Sequence, residues 1–261
     1  MNPSHIDRIR TTSRRLLGKL YRIVESQEEV ATRSLVDNLH KQEVLESLLE
    51  WSKPARLPGC ESLHYLLATP FRYPPLPWGS RFGTVAESGI FYGSKTVPTV
   101  LAEAAFYRLR FYSDMVEPPP NALTSYHNIF SAKYRIPHGI RLQDSAWRDC
   151  WTSLADPASY GFCQQLGVQL RGEGVGGIET LSARAIQSGL AAPPLMGAEG
   201  INIALFDPDS LLNRPPAQEA DVTAETSAEG VTFLVKSADT VKTHPYEAEA
   251  FAVGGCLPEP A

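Results

Sequence analysis

Apolar residues recur at helical spacing through Leu16, Leu17, Leu20, Ile23 and Val24. They recur again through Leu35, Val36, Leu39, Val44, Leu45, Leu48 and Leu49, with a phase slip near His40. This periodicity predicts a helical N-terminal portion. The apolar surface at Leu48, Leu49 and Trp51 is too large to stay free, so the portion is expected to pack on the remainder. The Pro- and Gly-containing connector Lys53–Gly59 ends it. The expected organisation is therefore a helical extension over 1–60, a main domain over 61–213, and a loop with C-terminal strands or tail over 214–261 that belongs to the same domain.

Past the connector the period shortens. Leu63–Leu67 is a compact apolar run read as the first strand, delivering Arg72 and Tyr73 to its end. Phe91-Tyr92 between Gly89 and Gly93 is a second. Val100, Leu101, Ala104, Ala105 and Leu109 then return to helical spacing behind a cap at Thr96 or Thr99. After the stop at Pro118-Pro119-Pro120, strands are expected over Ser125–Tyr134 and around Gly139–Leu142. A helix entered at Asp156-Pro157 should run to Leu170, followed by strands at Ile178–Ala183 and Ile201–Phe206. Residues Arg214–Gly230, rich in Pro, Ala, Glu and Thr, read as a loop. Val231–Val235 and the region near Phe251 are candidates for further strands.

Candidate chemistry concentrates in Thr69–Phe111. Prolines 74, 75 and 77 forbid a helix after Arg72-Tyr73. Arg81 is bracketed by Gly79 and Gly83, which permit close backbone approach. Glu103 stands beside the apolar stripe of the expected helix, one turn before Tyr107. Each of these residues has a bland alternative: a surface ion pair for Arg72 or Glu103, a half-buried strand position for Tyr73 or Tyr92.

Taken in order, Phe71-Arg72-Tyr73, Gly79-Ser80-Arg81-Phe82, Phe91-Tyr92 with Glu103 eleven residues after the tyrosine, Tyr160 to Gly167 and Leu181-Ser182-Ala183-Arg184 resemble the RES domain family. That family is the toxin half of many bacterial toxin–antitoxin modules, and the resemblance runs roughly from His64 to Pro208. Phe82 departs from the tryptophan that many members carry, and both Ser182 and Ser159 are candidates for the family serine. The resemblance implies an α+β, ADP-ribosyltransferase-like fold with a split, mostly antiparallel sheet flanked by helices and carrying the helical N-terminal extension. It implies NAD as the substrate, with no cofactor, and hydrolysis or phosphorolysis of the nicotinamide–ribose bond. It further implies restraint by a cognate antitoxin with an Xre-like helix-turn-helix region. The expected catalytic set is Arg72, Tyr92, Glu103 and Ser182, and the NAD-binding set is Arg72, Tyr73, Arg81 and Tyr92. Mono-ADP-ribosylation of a protein, and a catalytically silent interaction module, are the alternatives.

The chemistry explains why such residues would be wanted. Breaking the bond from ribose to nicotinamide passes through an oxocarbenium-like state, which a nearby carboxylate such as Glu103 stabilises. A pyrophosphate calls for guanidinium groups, here Arg72 and Arg81, and flat rings call for aromatic partners, here Tyr73 and Tyr92. Ser182 would orient Glu103 or the ribose.

Charge and composition narrow the function classes. A formal net charge of −5 argues against nucleic-acid binding by the whole surface. The basic residues Arg8, Arg10, Arg14, Arg15 and Lys19 read as the solvated face of an amphipathic helix or as a basic arm contacting DNA or an acidic partner. No apolar run reaches membrane-spanning length and no secretory signal is evident, so a cytoplasmic protein without membrane contact is expected. Cys60, Cys150, Cys163 and Cys256 lack metal or disulfide spacing and are expected to be buried thiols. The histidines form no metal motif. The glycines of Gly172–Gly177 follow a helix rather than a strand, so they read as a turn and not as a dinucleotide loop.

Overall fold

The computed structural model describes residues 4–26, 39–55, 58–73, 75–212 and 215–259. Eight strands form one sheet: β1 (Arg14–Glu25), β2 (Phe91–Ser94), β3 (Leu123–Arg141), β4 (Gly177–Leu181), β5 (Ile201–Leu205), β6 (Ala217–Thr226), β7 (Gly230–Lys236) and β8 (Val241–Glu247). Their order is β1-β2-β5-β4-β3-β6-β7-β8, and β1 also pairs with β3. That second pairing closes β1, β2, β5, β4 and β3 into a ring, from which β6, β7 and β8 extend along the other end of β3. Only the short β3–β4 pairing is parallel. The fold is therefore the expected mixed one, a mostly antiparallel sheet with flanking helices.

The helices are α1 (His5–Thr12), α2 (Leu39–Ser52), α3 (Tyr65–Arg72), α4 (Val97–Ser113), α5 (Trp151–Leu154), α6 (Gly161–Gly172) and α7 (Ala183–Gln187). Three cores are packed between them and the sheet. One joins α3 to Leu16, Leu20, Phe91, Tyr134, Ile136, Ile203 and Leu205. A second gathers Trp147, Leu154, Leu166, Leu170 and Ile178 around α5 and α6. A third sets Leu101, Ala105, Phe106 and Leu109 of α4 against Val222, Val231 and Phe233.

Three expectations from the sequence are corrected. Residues Arg14–Glu25 are a strand, not a helix, so residues 1–60 do not form a purely helical extension; α1 and α2 are the helical parts. Leu16, Leu20 and Val24 also share one face of a strand, with Leu17 and Ile23 on the other, and the choice is made by pairing with β3 in a register that runs from Arg14↔Gly139 to Glu25↔His127. Leu35 and Val36, which were read into the second helix, lie outside the described residues. The run Leu63–Leu67 opens a helix instead of a strand: His64 caps α3 by accepting from Leu66 N, and Leu67, Ala68 and Phe71 are buried at helical spacing. The stretch read as a loop after Arg214 contains β6, whose Ala220, Val222 and Ala224 alternate inward between β3 and β7. Small apolar residues every second position suffice once both neighbours are in place.

Smaller differences follow the same logic. The two strands expected between Ser125 and Leu142 are one continuous β3, and the region at Phe251 is a turn of 3₁₀ helix. Cys60, Cys150 and Cys163 are buried, whereas Cys256 is exposed. Gly172–Gly177 does make a turn, with Gly174 at φ +73°. Among the described residues, no helix is long and apolar enough to cross a membrane.

Candidate active site

A cleft of about 770 Å³ opens between β1, β2, β5, α4 and the loop that carries Arg81. That is ample for a small-molecule ligand. Its floor is a row of neighbouring polar residues on three strands, since Ser94 faces Asn202 and Asn202 faces Thr180 in the sheet register. Its walls include Tyr21, Arg22, Trp78, Arg81, Tyr92, Glu103, Tyr107 and Tyr160.

Glu103 enters the cleft from the middle of α4. Thr96 caps that helix, its side chain accepting from Thr99 N, and Pro98 sits in the first turn, where its missing N–H costs nothing. Two side chains hold the carboxylate. Ser182 Oγ donates to Glu103 Oε1 at 2.6 Å, and Asn202 Nδ2 donates to the same oxygen at 2.6 Å. Ser182 is also the cap of α7 and accepts from Ala185 N at 3.0 Å. With its lone pair used by the helix, its proton is directed to Glu103. Ser159, the other candidate serine, is exposed in the turn that Asp156 makes with Ala158 N and Ser159 N, away from this contact.

The Arg81 loop is shaped by close backbone approaches. Gly79 has φ +76°, and a Cβ there would lie 2.3 Å from Gly83 O. Gly167 of α6 lets the helix touch the loop, since a Cβ would stand 2.1 Å from Phe82 O. Tyr92 then pins the loop from the sheet: Phe82 N donates to its hydroxyl at 3.1 Å, and Ser80 Oγ lies 3.0 Å from it. Burial pushes the Tyr92 hydroxyl up to about 12, so it stays protonated at neutral pH. Arg81 donates to the carbonyls of Leu154 and Asp156 and lies over the Tyr160 ring at 4.5 Å. Burial draws its pKa down, but Tyr160, Cys163 and Glu103 outweigh that and keep it firmly charged.

Three of the residues expected at the site do not line the cleft: Ser182 is fully buried behind Glu103, and Arg72 and Tyr73 lie elsewhere. Arg72, at the end of α3, donates to Pro54 O, and Tyr73 beside it is exposed. Besides Arg81, a further cation that the sequence reading missed lines the cleft, Arg22 on β1. It donates to Tyr92 O at 2.6 Å and lies over the Phe91 ring at 5.1 Å, and among the described residues no ion pair neutralises it. Burial lowers its pKa to about 10, which still leaves it charged at neutral pH. The signal was there in Leu20-Tyr21-Arg22-Ile23-Val24, an aromatic and β-branched strand signature hidden by the helical spacing of its leucines. Tyr107 and Tyr160 complete the aromatic wall.

Beneath the cleft, Arg184 is almost wholly buried. It donates to Gln187 Oε1 at 2.6 Å and stacks on Phe106 at 3.3 Å. Burial lowers its pKa and the Glu103 charge raises it. Among the described residues, no group of three or more His, Cys, Asp or Glu side chains is placed to hold a metal ion.

The sequence model of the RES domain matches residues 53–225 of this chain. Strand β1 precedes that span, yet it pairs with β2 and β3 inside it. No curated protein matches the chain in sequence. In structure it is similar to a chain from the crystal structure of the M. tuberculosis MbcT-MbcA toxin-antitoxin complex, with a TM-score of 0.45 and 9% identity over 86% of this chain and 92% of that one.

Proposed function

The chain belongs to the RES domain family, and from that membership together with its cleft we propose that it is the toxin of a toxin–antitoxin pair and cleaves the nicotinamide–ribose bond of NAD. The observation that carries this reading is Glu103: a carboxylate at the wall of a ligand-sized cleft, gripped on one oxygen by two neutral donors and facing unneutralised cationic and aromatic groups.

The residues divide the work as follows. Arg22 and Arg81 supply fixed positive charge for the pyrophosphate. Tyr107, Tyr160 and Trp78 supply flat surfaces for the rings. Glu103 faces the ribose; as the bond to nicotinamide lengthens, nicotinamide leaves with the electron pair and the positive charge that develops on the sugar is stabilised by the carboxylate. Water or phosphate then adds to the sugar carbon and loses a proton to solvent. Ser182 keeps the carboxylate in place. Tyr92 acts on the loop that carries Arg81, its hydroxyl being committed to Phe82 N and Ser80.

The partner in this proposal is a cognate antitoxin bearing an Xre-like helix-turn-helix region, and the site of action is the cytoplasm, where NAD is consumed. Purified protein incubated with NAD, with and without phosphate and with a cell extract, tests the whole reading. Nicotinamide release is expected in each arm. Free ADP-ribose identifies hydrolysis, its phosphorylated form phosphorolysis, and labelled extract protein a transferase. Folded protein that releases no nicotinamide in any arm sinks the proposal.

A further inference from the structure

Asn202 is held from both ends. Ser94 Oγ donates to its Oδ1 at 2.6 Å, and its Nδ2 donates to Glu103 Oε1 at 2.6 Å. The amide presents its nitrogen to the carboxylate oxygen of Glu103, and the Ser94 hydroxyl, able to donate, fills the remaining carbonyl oxygen. The alternative flip would set an oxygen against the carboxylate and lose that bond, although Ser94 could then accept from the amide nitrogen. Among the described residues, every hydrogen bond to Glu103 falls on Oε1, one from Asn202 and one from Ser182, and none reaches Oε2. Two donors arriving from different elements, β5 and the start of α7, fix the plane of the carboxylate as well as its position.

We propose that Asn202 is a positioning residue for the cleavage reaction: with Ser94 behind it, it locks the Glu103 carboxylate so that Oε2 is presented to the ligand. This inference rests on the NAD-cleaving reading for its catalytic consequence, but the lock itself is a property of the folded chain. Ser94 and Asn202 are directly paired across β2 and β5, so the chain from Ser94 through Asn202 to Glu103 ties the sheet floor to α4. A displacement on the scale of an ångström between such a carboxylate and the reacting carbon costs about 10²-fold in rate.

The test uses the full chain and two readouts. First, unfolding midpoints are measured for wild type, Asn202→Ala, Glu103→Ala and the double variant. Residues in contact are non-additive, so the midpoint shift of Asn202→Ala should shrink when Glu103 is absent, and strictly additive shifts overturn the lock whether or not the protein cleaves NAD. Second, nicotinamide release is followed for the isosteric Asn202→Asp, which keeps the shape and the Ser94 bond but cannot donate to Glu103. Turnover should fall about 10²-fold with KM within a few-fold, and the loss should vanish in a Glu103→Gln background. Wild-type turnover in Asn202→Asp overturns the positioning role. A loss that persists undiminished beside Glu103→Gln does so too, since it would mean that Asn202 acts elsewhere. If Asn202→Ala does not fold, Ser94→Ala takes its place in the midpoint cycle, because it frees the amide without touching Glu103. A wild-type protein inert toward NAD sinks the functional proposal, while the midpoint cycle still decides the lock.

Discussion

Glu103 and Glu179 are the two carboxylates bound most closely around β4 and β5, and they are held in opposite ways. Glu179 is 1% exposed on the face of β4 that looks into the α3 core. It receives Tyr134 Oη at 2.8 Å, Arg141 Nε at 2.9 Å, Gln143 Nε2 at 3.0 Å and Lys95 Nζ at 2.7 Å, so both of its oxygens are saturated. Burial alone would push its pKa up, but the Lys95, Arg141 and Tyr134 bonds outweigh burial and hold it below the usual carboxylate range. Among the described residues, Glu103, on the cleft side, has neutral donors on one oxygen only. A carboxylate whose bonding capacity is used up joins elements together. One left half open, with cations near but not upon it, is available to a ligand. On the proposed reading, the degree of saturation distinguishes the structural acid, Glu179, from the acid assigned to the chemistry, Glu103.

The sharpest break in that contrast is removal of Glu179. Glu179→Ala leaves Lys95 and Arg141 facing a site built for their counter-ion, and a broken buried pair costs about 3–5 kcal/mol. The denaturation midpoint should fall accordingly, and an unchanged midpoint would show that the hub is dispensable. Glu103→Gln reverses the pattern. It should lower the rate of nicotinamide release about 10²–10³-fold while the midpoint moves by no more than about 0.5 kcal/mol, as for a substitution outside the core. Near-normal release would remove Glu103 from the chemistry.

A smaller effect distinguishes Arg22, which lines the cleft, from Arg72, which was expected there and lies outside it. Arg22→Ala should raise KM for NAD by about tenfold, the loss of one charged contact of roughly 1.4 kcal/mol, with kcat nearly preserved. Arg72→Ala should raise it less, since that side chain turns to Pro54 O. A larger KM effect at Arg72 would return it to the site.

The smallest effect is the pH dependence of the Glu179 hub. Its folded pKa lies below the unfolded value of about 4.3, so its stabilisation is complete above that value and fades as pH falls through the folded pKa. The stability gap between wild type and Glu179→Gln should therefore be constant near neutrality and narrow only in the acid range. A gap that narrows as pH rises from neutrality would contradict the ion-pair account.

Much of the site was legible because it is local. Glu103 on a capped helix, Arg81 between two glycines, Tyr92 on a short strand and Ser182 at a strand end all stand where the spacing puts them. Arg22 was not legible in this way. Its segment obeys two periodicities at once, and only the β3 partner, more than a hundred residues later, decides between them. Tyr92 was legible as a cleft residue but not as the anchor of the Arg81 loop, because the atoms it holds come from a different segment. Arg72 shows the reverse error: a strand expected from a five-residue apolar run is a helix, and the side chain leaves the cleft with it.

What the sequence determined by itself was therefore the inventory: a mixed fold, one helix bearing the carboxylate, the glycine-bracketed arginine and the serine, because caps, glycines, prolines and short-range periodicity act within a few residues. What only the tertiary structure decided was which of two carboxylates is saturated, which arginine reaches the cleft, and that Asn202 and Ser182 meet on one oxygen of Glu103. Those outcomes depend on strand register and closure of the ring. Such pairings join residues far apart in the chain, and no local pattern encodes them.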